Sequence, residues 1–176
     1  NKYNSMKIFD DFIDRIPTCI TISDYNKNEL PDIYIGTFIF PKKLLPFQFH
    51  NKNNYRDNIL LDNQGDLKFK NVTKESKTEG GQNAFTCSFV NFGSGYPDIV
   101  LANDTDQIKI LRNNGNSTFS TIIISEQYGF WMGLAIGDYN NNGKLDLYLT
   151  NIGTNLPIPK SGGPRGPPNK GGLLKN

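Results

Sequence analysis

Asp138-Tyr139-Asn140-Asn141-Asn142-Gly143-Lys144-Leu145-Asp146-Leu147-Tyr148-Leu149 is the stretch on which the fold turns, because the chain contains it twice. Its earlier copy is Asp24-Tyr25-Asn26-Lys27-Asn28-Glu29-Leu30-Pro31-Asp32-Ile33-Tyr34-Ile35. Polar residues share positions 1, 3, 5 and 9, and an apolar-Tyr-apolar trio follows in both. An eroded copy, Asn91 to Leu101, is shorter and has lost the middle polar residues. Self-similarity at this spacing is the signature of a repeat architecture.

Between the loops lies a second motif. Leu60-Leu61-Asp62-Asn63-Gln64-Gly65 is echoed by Ile110-Leu111-Arg112-Asn113-Asn114-Gly115, with Phe69 and Phe119 at the same distance beyond the glycine. Leu173-Leu174-Lys175-Asn176 repeats its start. Asn-x-Gly between two apolar runs signals a hairpin. The two motifs alternate strictly, and the apolar runs around them are short. Each unit therefore reads as four strands, A to D, with the polar loop joining A to B and the Asn-x-Gly turn joining C to D. Such a meander is one propeller blade. The expected fold is all-β: about two and a half four-stranded antiparallel blades. The expected divisions are an N-terminal segment at 1–17, a first blade at 18–83, a second at 84–130 and an incomplete third at 131–176. A short helix is expected at Ser5 to Ile16 only. A propeller closes with roughly 4–8 blades, so the chain is expected to be part of a larger propeller, its other blades supplied by missing chain or a partner subunit.

The loop's spacing turns alternate side chains toward one centre, and calcium takes six to eight oxygen ligands in a flexible shell. In the third loop Asp138, Asn140, Asn142 and Asp146 offer side-chain oxygens and Lys144 its carbonyl, with Gly143 at the sharp turn. The first loop offers Asp24, Asn26, Asn28 and Asp32 with the Leu30 carbonyl, but Glu29 stands at the glycine position, where a left-handed turn costs strain of order 1 kcal/mol. The expected cofactor is Ca2+, bound more weakly at the first loop and not at the second.

The 176 residues carry a net charge of +2, with 12 Phe and 8 Tyr for a β-rich core. A charge so near neutral argues against a nucleic-acid binder. No apolar run approaches the ~20 residues of a membrane span. The single histidine, His50, excludes a His-based triad or a multi-His metal site within the chain. The acids outside the loops are scattered and no acid/base pair stands out, so no enzymatic activity is expected. Cys19 and Cys87 fall in equivalent A strands, each after a threonine, with Gly133 in the matching place of the third; they either pair or remain as buried thiols. Asn71, Asn103 and Asn116 head glycosylation sequons.

Asp-Tyr-Asn-x-Asn-Gly-x-x-Asp-Leu-Tyr-Leu resembles the FG-GAP/VCBS repeat of integrin α-subunit propellers. Together with Gly129-Phe130-Trp131-Met132-Gly133-Leu134-Ala135-Ile136-Gly137-Asp138 and the hairpin motif, it resembles still more the cartilage acidic protein and ASPIC/UnbV-associated group. The resemblance implies a calcium-dependent propeller in a secreted protein, extracellular or periplasmic, with a recognition or cell-adhesion role.

In such a meander the B–C loops lie at the end opposite the calcium loops. The stretch from Asp32 to Asn63 is about twice as long as that from Asp98 to Asn113, and Asp146 to Asn176 is similarly extended. Long loops on a rigid scaffold carry binding. Lys42, Lys43, Phe47, Phe49 and His50 in the first insertion are the candidate contacts for a protein or glycan ligand. Trp131 and Tyr128 either pack in the core or join that rim. The competing readings are a lectin or polysaccharide-active enzyme on a calcium propeller, and a structural repeat in an extracellular assembly.

Overall fold

The computed structural model describes residues 15–38, 55–80, 83–125 and 128–152, and the backbone of Gly172–Leu174. The expected helix and the first insertion with Lys42, Lys43, Phe47, Phe49 and His50 lie outside these residues, apart from Arg15 and Ile16 at the helix's end.

No helix occurs among the described residues. Strands β1 (Pro17–Ser23), β2 (Asp32–Thr37), β3 (Ile59–Asn63) and β4 (Phe69–Asn71) form an antiparallel sheet in chain order. Strands β5 (Ala84–Val90), β6 (Asp98–Asp106), β7 (Lys109–Asn113) and β8 (Phe119–Ile123) repeat that meander. Strands β9 (Gly129–Gly137), β10 (Asp146–Asn151) and β11 (Gly172–Leu174) begin a third. Register is the same in each unit: Ile33 lies opposite Leu61, Ile99 opposite Leu111 and Leu147 opposite Leu174. The end of β6 also pairs with the start of β9, Asp104 with Phe130 and Asp106 with Gly129, around a bulge where Thr105 takes a φ of 61°. This contact merges the second and third units into one seven-stranded sheet.

Strand parity sorts the core, because alternate residues point to opposite faces of a sheet. Tyr34 and Leu60, on one face of the first unit, bury against Ile99, Leu101 and Leu111 of the second. Val100, Ala102 and Ile110, on the second unit's other face, bury against Leu147 and Leu149 of the third, with Trp131 among them. Trp131 is therefore core, not rim. The alternate residues of β6 thus serve one or the other of two interfaces, which is why this strand is buried along almost its whole length. Two face-stacked four-stranded meanders and three strands of another are consecutive blades of a β-propeller.

The first strands of neighbouring blades stand side by side. Thr18 Oγ1 donates to the Ala84 carbonyl, Thr86 Oγ1 to the Met132 carbonyl, and the Phe89 amide to Thr21 Oγ1. Cys19 and Cys87 form a disulfide across the same seam, with Cα atoms 5.9 Å apart. The two cysteines are not in equivalent positions, contrary to the expectation from sequence. Cys19 pairs with Gly36, whereas Cys87 pairs with Leu101, the counterpart of Ile35. That offset of one residue turns one side chain forward and the other back, so they meet between blades. Gly36 has no room for a side chain, since a Cβ there would run into Cys19 Sγ.

Candidate metal-binding loops

The two loops with full ligand sets fold alike, down to single hydrogen bonds. In the first, Asp24 Oδ1 accepts from the Asn28 amide at 3.0 Å and its Oδ2 from the Glu29 amide at 2.8 Å. In the third, Asp138 does the same with Asn142 at 3.0 Å and Gly143 at 2.7 Å. Asn26 and Asn140 accept from the amides two residues on, as do Asn28 and Asn142, whose donors are the Leu30 and Lys144 amides. The side-chain oxygens thus turn into the loop. Two residues in each loop take the left-handed conformation: Lys27 and Glu29 at 62° and 68°, Asn141 and Gly143 at 56° and 81°. Glu29 therefore adopts the glycine-favouring turn and bears its strain.

The position-9 aspartate has a structural duty as well. Asp32 Oδ1 accepts from the Asn63 amide, while Asn63 Nδ2 donates to the Pro31 carbonyl. Asp98, Asn113 and Pro97 make the same clasp in the second blade. The hairpin asparagines also close their own turns, Asn63 Oδ1 on the Gly65 amide and Asn113 Oδ1 on the Gly115 amide. The remaining oxygen, Oδ2, receives the Tyr25 amide on Asp32 and the Tyr139 amide on Asp146. Asp32, Asp98 and Asp146 are all buried. Desolvation pushes the Asp32 carboxyl up to about 6 and raises that of Asp98.

The second loop differs in kind. Asn91 Oδ1 accepts from the Gly93 and Gly95 amides, and Ser94 Oγ donates to the Tyr96 carbonyl and accepts from the Tyr96 amide. Arg112 Nη1 sits 2.8 Å from Asp98 Oδ2, the oxygen that takes a loop amide elsewhere. The first loop has an acid at the corresponding hairpin position: Asn26 Nδ2 donates to Asp62 Oδ1 at 2.7 Å.

The first loop also rests on the second blade. Asn113 Nδ2 donates to the Tyr25 carbonyl, the Tyr25 and Phe119 rings lie 5.7 Å apart, and Lys27 Nζ stands 4.2 Å over Tyr96. Tyr25 is buried; its counterpart Tyr139 is 51 % exposed.

The donor set suits a hard cation. It consists of carboxylates, amides and one carbonyl, all oxygen. Among the described residues no three His, Cys, Asp or Glu side chains converge, because half of each loop's side-chain ligands are asparagines. Among the described residues Asp146 Oδ1 is buried without a hydrogen-bond partner; the same oxygen takes the hairpin amide in the other two blades. Asp62 and Arg112, the clasp and the Tyr25 seat escaped the reading of the loops alone. The Asp-for-Arg exchange between the two hairpins was the visible signal. Of the sequons, Asn103 is fully buried and excluded as an acceptor, while Asn71 and Asn116 are exposed.

Residues 92–149, from the second loop through most of β10, match the family described as FG-GAP-like repeat. No curated protein matches the chain.

Proposed function

We propose that the chain is a calcium-binding, non-catalytic recognition module built on FG-GAP-type propeller blades, working outside the cytosol on a protein or glycan ligand. The observation that carries the calcium reading is the near-identity of the hydrogen-bond pattern in the two loops that share the Asp-x-Asn-x-Asn-x-x-x-Asp set, although one has Glu29 where the other has Gly143. Turns of unrelated purpose have no reason to aim the same four oxygens inward.

Asp24, Asn26, Asn28, Asp32 and the Leu30 carbonyl would hold the first ion. Asp138, Asn140, Asn142, Asp146 and the Lys144 carbonyl would hold the other. The ion supplies a central positive charge to carboxylates that burial otherwise penalises. Because Asp32 also clasps the Asn63 hairpin, an ion on it braces the A–B loop and the C–D turn together. The Cys19–Cys87 disulfide suits an oxidising compartment, extracellular or periplasmic. The narrower kinship with the cartilage acidic protein and ASPIC/UnbV group rests on the Gly129–Asp138 stretch and the hairpin motif.

A ligand that binds only the folded state stabilises by about 2.7 kcal/mol per site at a hundredfold excess over Kd. Thermal melts in EDTA and then in millimolar calcium are expected to show a clear rise in midpoint. Calorimetric titration is expected to count two ions. Asp138→Ala should remove one, and Asp98→Ala none. An unchanged midpoint, or equal loss from both variants, would refute the calcium reading.

A further inference from the structure

Tyr25 joins two parts of the molecule that lie far apart in the sequence. Its amide donates to Asp32 Oδ2 at 3.1 Å, within the first loop. Its carbonyl accepts from Asn113 Nδ2 at 2.9 Å, across the seam in the second blade. Its ring lies against Phe119 of that blade, with centroids 5.7 Å apart. Further along the loop, Lys27 Nζ stands 4.2 Å over the Tyr96 ring. Tyr96 is itself backed by the second hairpin, since a Cβ on Gly115 would come within 3.2 Å of its ring. The first loop is thus held on either side of Asn26 by side chains of the next blade.

The third loop arranges the same oxygens in a different setting. Tyr139 is 51 % exposed where Tyr25 is 2 % exposed. Gly143 makes the left-handed turn that Glu29 makes in the first loop. Glu29 disfavours that turn, and the apparent affinity of a site falls with the fraction of protein in the competent shape. The loop that carries the strained residue is therefore the one that the neighbouring blade holds. The second loop has lost the ligand spacing and offers Lys27 a surface instead: the Tyr96 ring, and the bare backbone of Gly95, where a Cβ would stand 3.5 Å from Nζ.

We propose that Tyr96, Asn113 and Phe119 of the second blade are positioning residues of the first loop's cation site, and that the eroded second loop serves as its seat. The inference rests on the calcium reading for its effect on affinity, and on geometry alone for its effect on the order of the loop. The seat offsets the disadvantage of Glu29 by holding the loop in its metal-ready shape. Linkage makes the effect reciprocal, so an ion on the first loop also tightens the seam between the first two blades.

The test uses two backgrounds, Asp138→Ala, which leaves the first loop's site, and Asp24→Ala, which leaves the third's. Tyr96→Leu and Tyr96→Phe are added to each, and calcium is titrated by calorimetry. Tyr96→Leu is expected to loosen the first loop's site about two- to fivefold, the range for one exposed cation–π contact, and to leave the third's unchanged. Tyr96→Phe keeps the ring and should match Tyr96 at both sites. Hydrogen exchange in EDTA, on chains with both loops intact, gives a second readout. Protection of the Asn28 and Glu29 amides, which donate to Asp24, should fall in Tyr96→Leu, while the Asn142 and Gly143 amides keep theirs. Equal loosening of both sites would mean a general loss of stability and would overturn the proposal. An unchanged first site, or a Tyr96→Phe variant as impaired as Tyr96→Leu, would overturn it too. If wild type binds no calcium, the functional reading fails instead, and the exchange measurement still decides whether the second blade holds the loop.

Discussion

Glu29 and Gly143 occupy one turn position with opposite suitability. Glu29 sits at a φ of 68° and Gly143 at 81°, and a side chain in that region costs roughly 1 kcal/mol. Glu29→Gly is expected to stabilise the protein by up to ~1 kcal/mol, less what the freer unfolded chain takes back. Gly143→Glu should cost about the same, although no neighbouring atom crowds the site, because the penalty lies in the backbone. Urea melts of both variants in EDTA isolate the strain from metal binding. Asp104 poses a different residue-scale problem. It is buried at the β6–β9 junction, its Oδ1 without a partner among the described residues, and desolvation pushes its carboxyl up to about 6. Its pKa is higher folded than unfolded, so ionisation opposes folding. Stability is greatest below the unfolded value near 4 and falls as pH rises to about 6, by roughly 3 kcal/mol at most for this residue. Asp104→Asn should flatten part of that decline. Midpoints in EDTA between pH 4 and 7 check it, and an undiminished slope would show that the carboxyl is not penalised there.

At the scale of elements, the clasp ties each A–B loop to its own C–D hairpin whether or not the loop can hold metal. Asn113 does more than Asn63, since its Nδ2 donates to the Tyr25 carbonyl of the preceding blade as well as to Pro97. Asn113→Ala leaves these buried carbonyls and the Gly115 amide without their partner, at about 1 kcal/mol or more for each bond lost. It is expected to destabilise by ~2–3 kcal/mol, and Asn63→Ala by about 1 kcal/mol less. Chemical denaturation compares the two, and an equal loss would mean the cross-blade bond contributes nothing. The clasp also shows how much of the candidate site was legible beforehand. Positions 1, 3, 5 and 9 could be read directly, since their spacing is local. Asp62 and Arg112 could not, because each is brought to its loop by strand pairing between β2 and β3 or β6 and β7. The distance along the chain hides that adjacency, and only the shared register reveals it.

For the whole molecule, the blades hold together by faces and by one covalent tie. Reducing Cys19–Cys87, which spans 68 residues of chain, frees loop entropy in the unfolded state and should cost up to about 4 kcal/mol. The double variant Cys19→Ser/Cys87→Ser is expected to melt lower by a comparable amount and to lose the effect of dithiothreitol. A midpoint insensitive to reductant would show that the packed seam suffices. The two ends of the described stack differ. Ile20 and Ile22 are 63 % and 59 % exposed on the outer face of the first blade, while Tyr139 and Tyr148 are half-exposed on that of the third. Tyr25 and Tyr34, their counterparts, are buried because a second blade lies on them.

The sequence by itself determined the all-β meander, the order of loop and hairpin, and the oxygen set of each loop, because these depend on alternation and on residues within one turn of each other. The β6–β9 pairing, the meeting of Cys19 with Cys87 and the seat of Arg112 on Asp98 were decided only by the tertiary structure. Each depends on a single-residue choice of register, a bulge at Thr105, an offset between β1 and β5 and a shared hairpin phase. One residue of register exchanges the two faces of a strand, and no local pattern records which blade each face will meet.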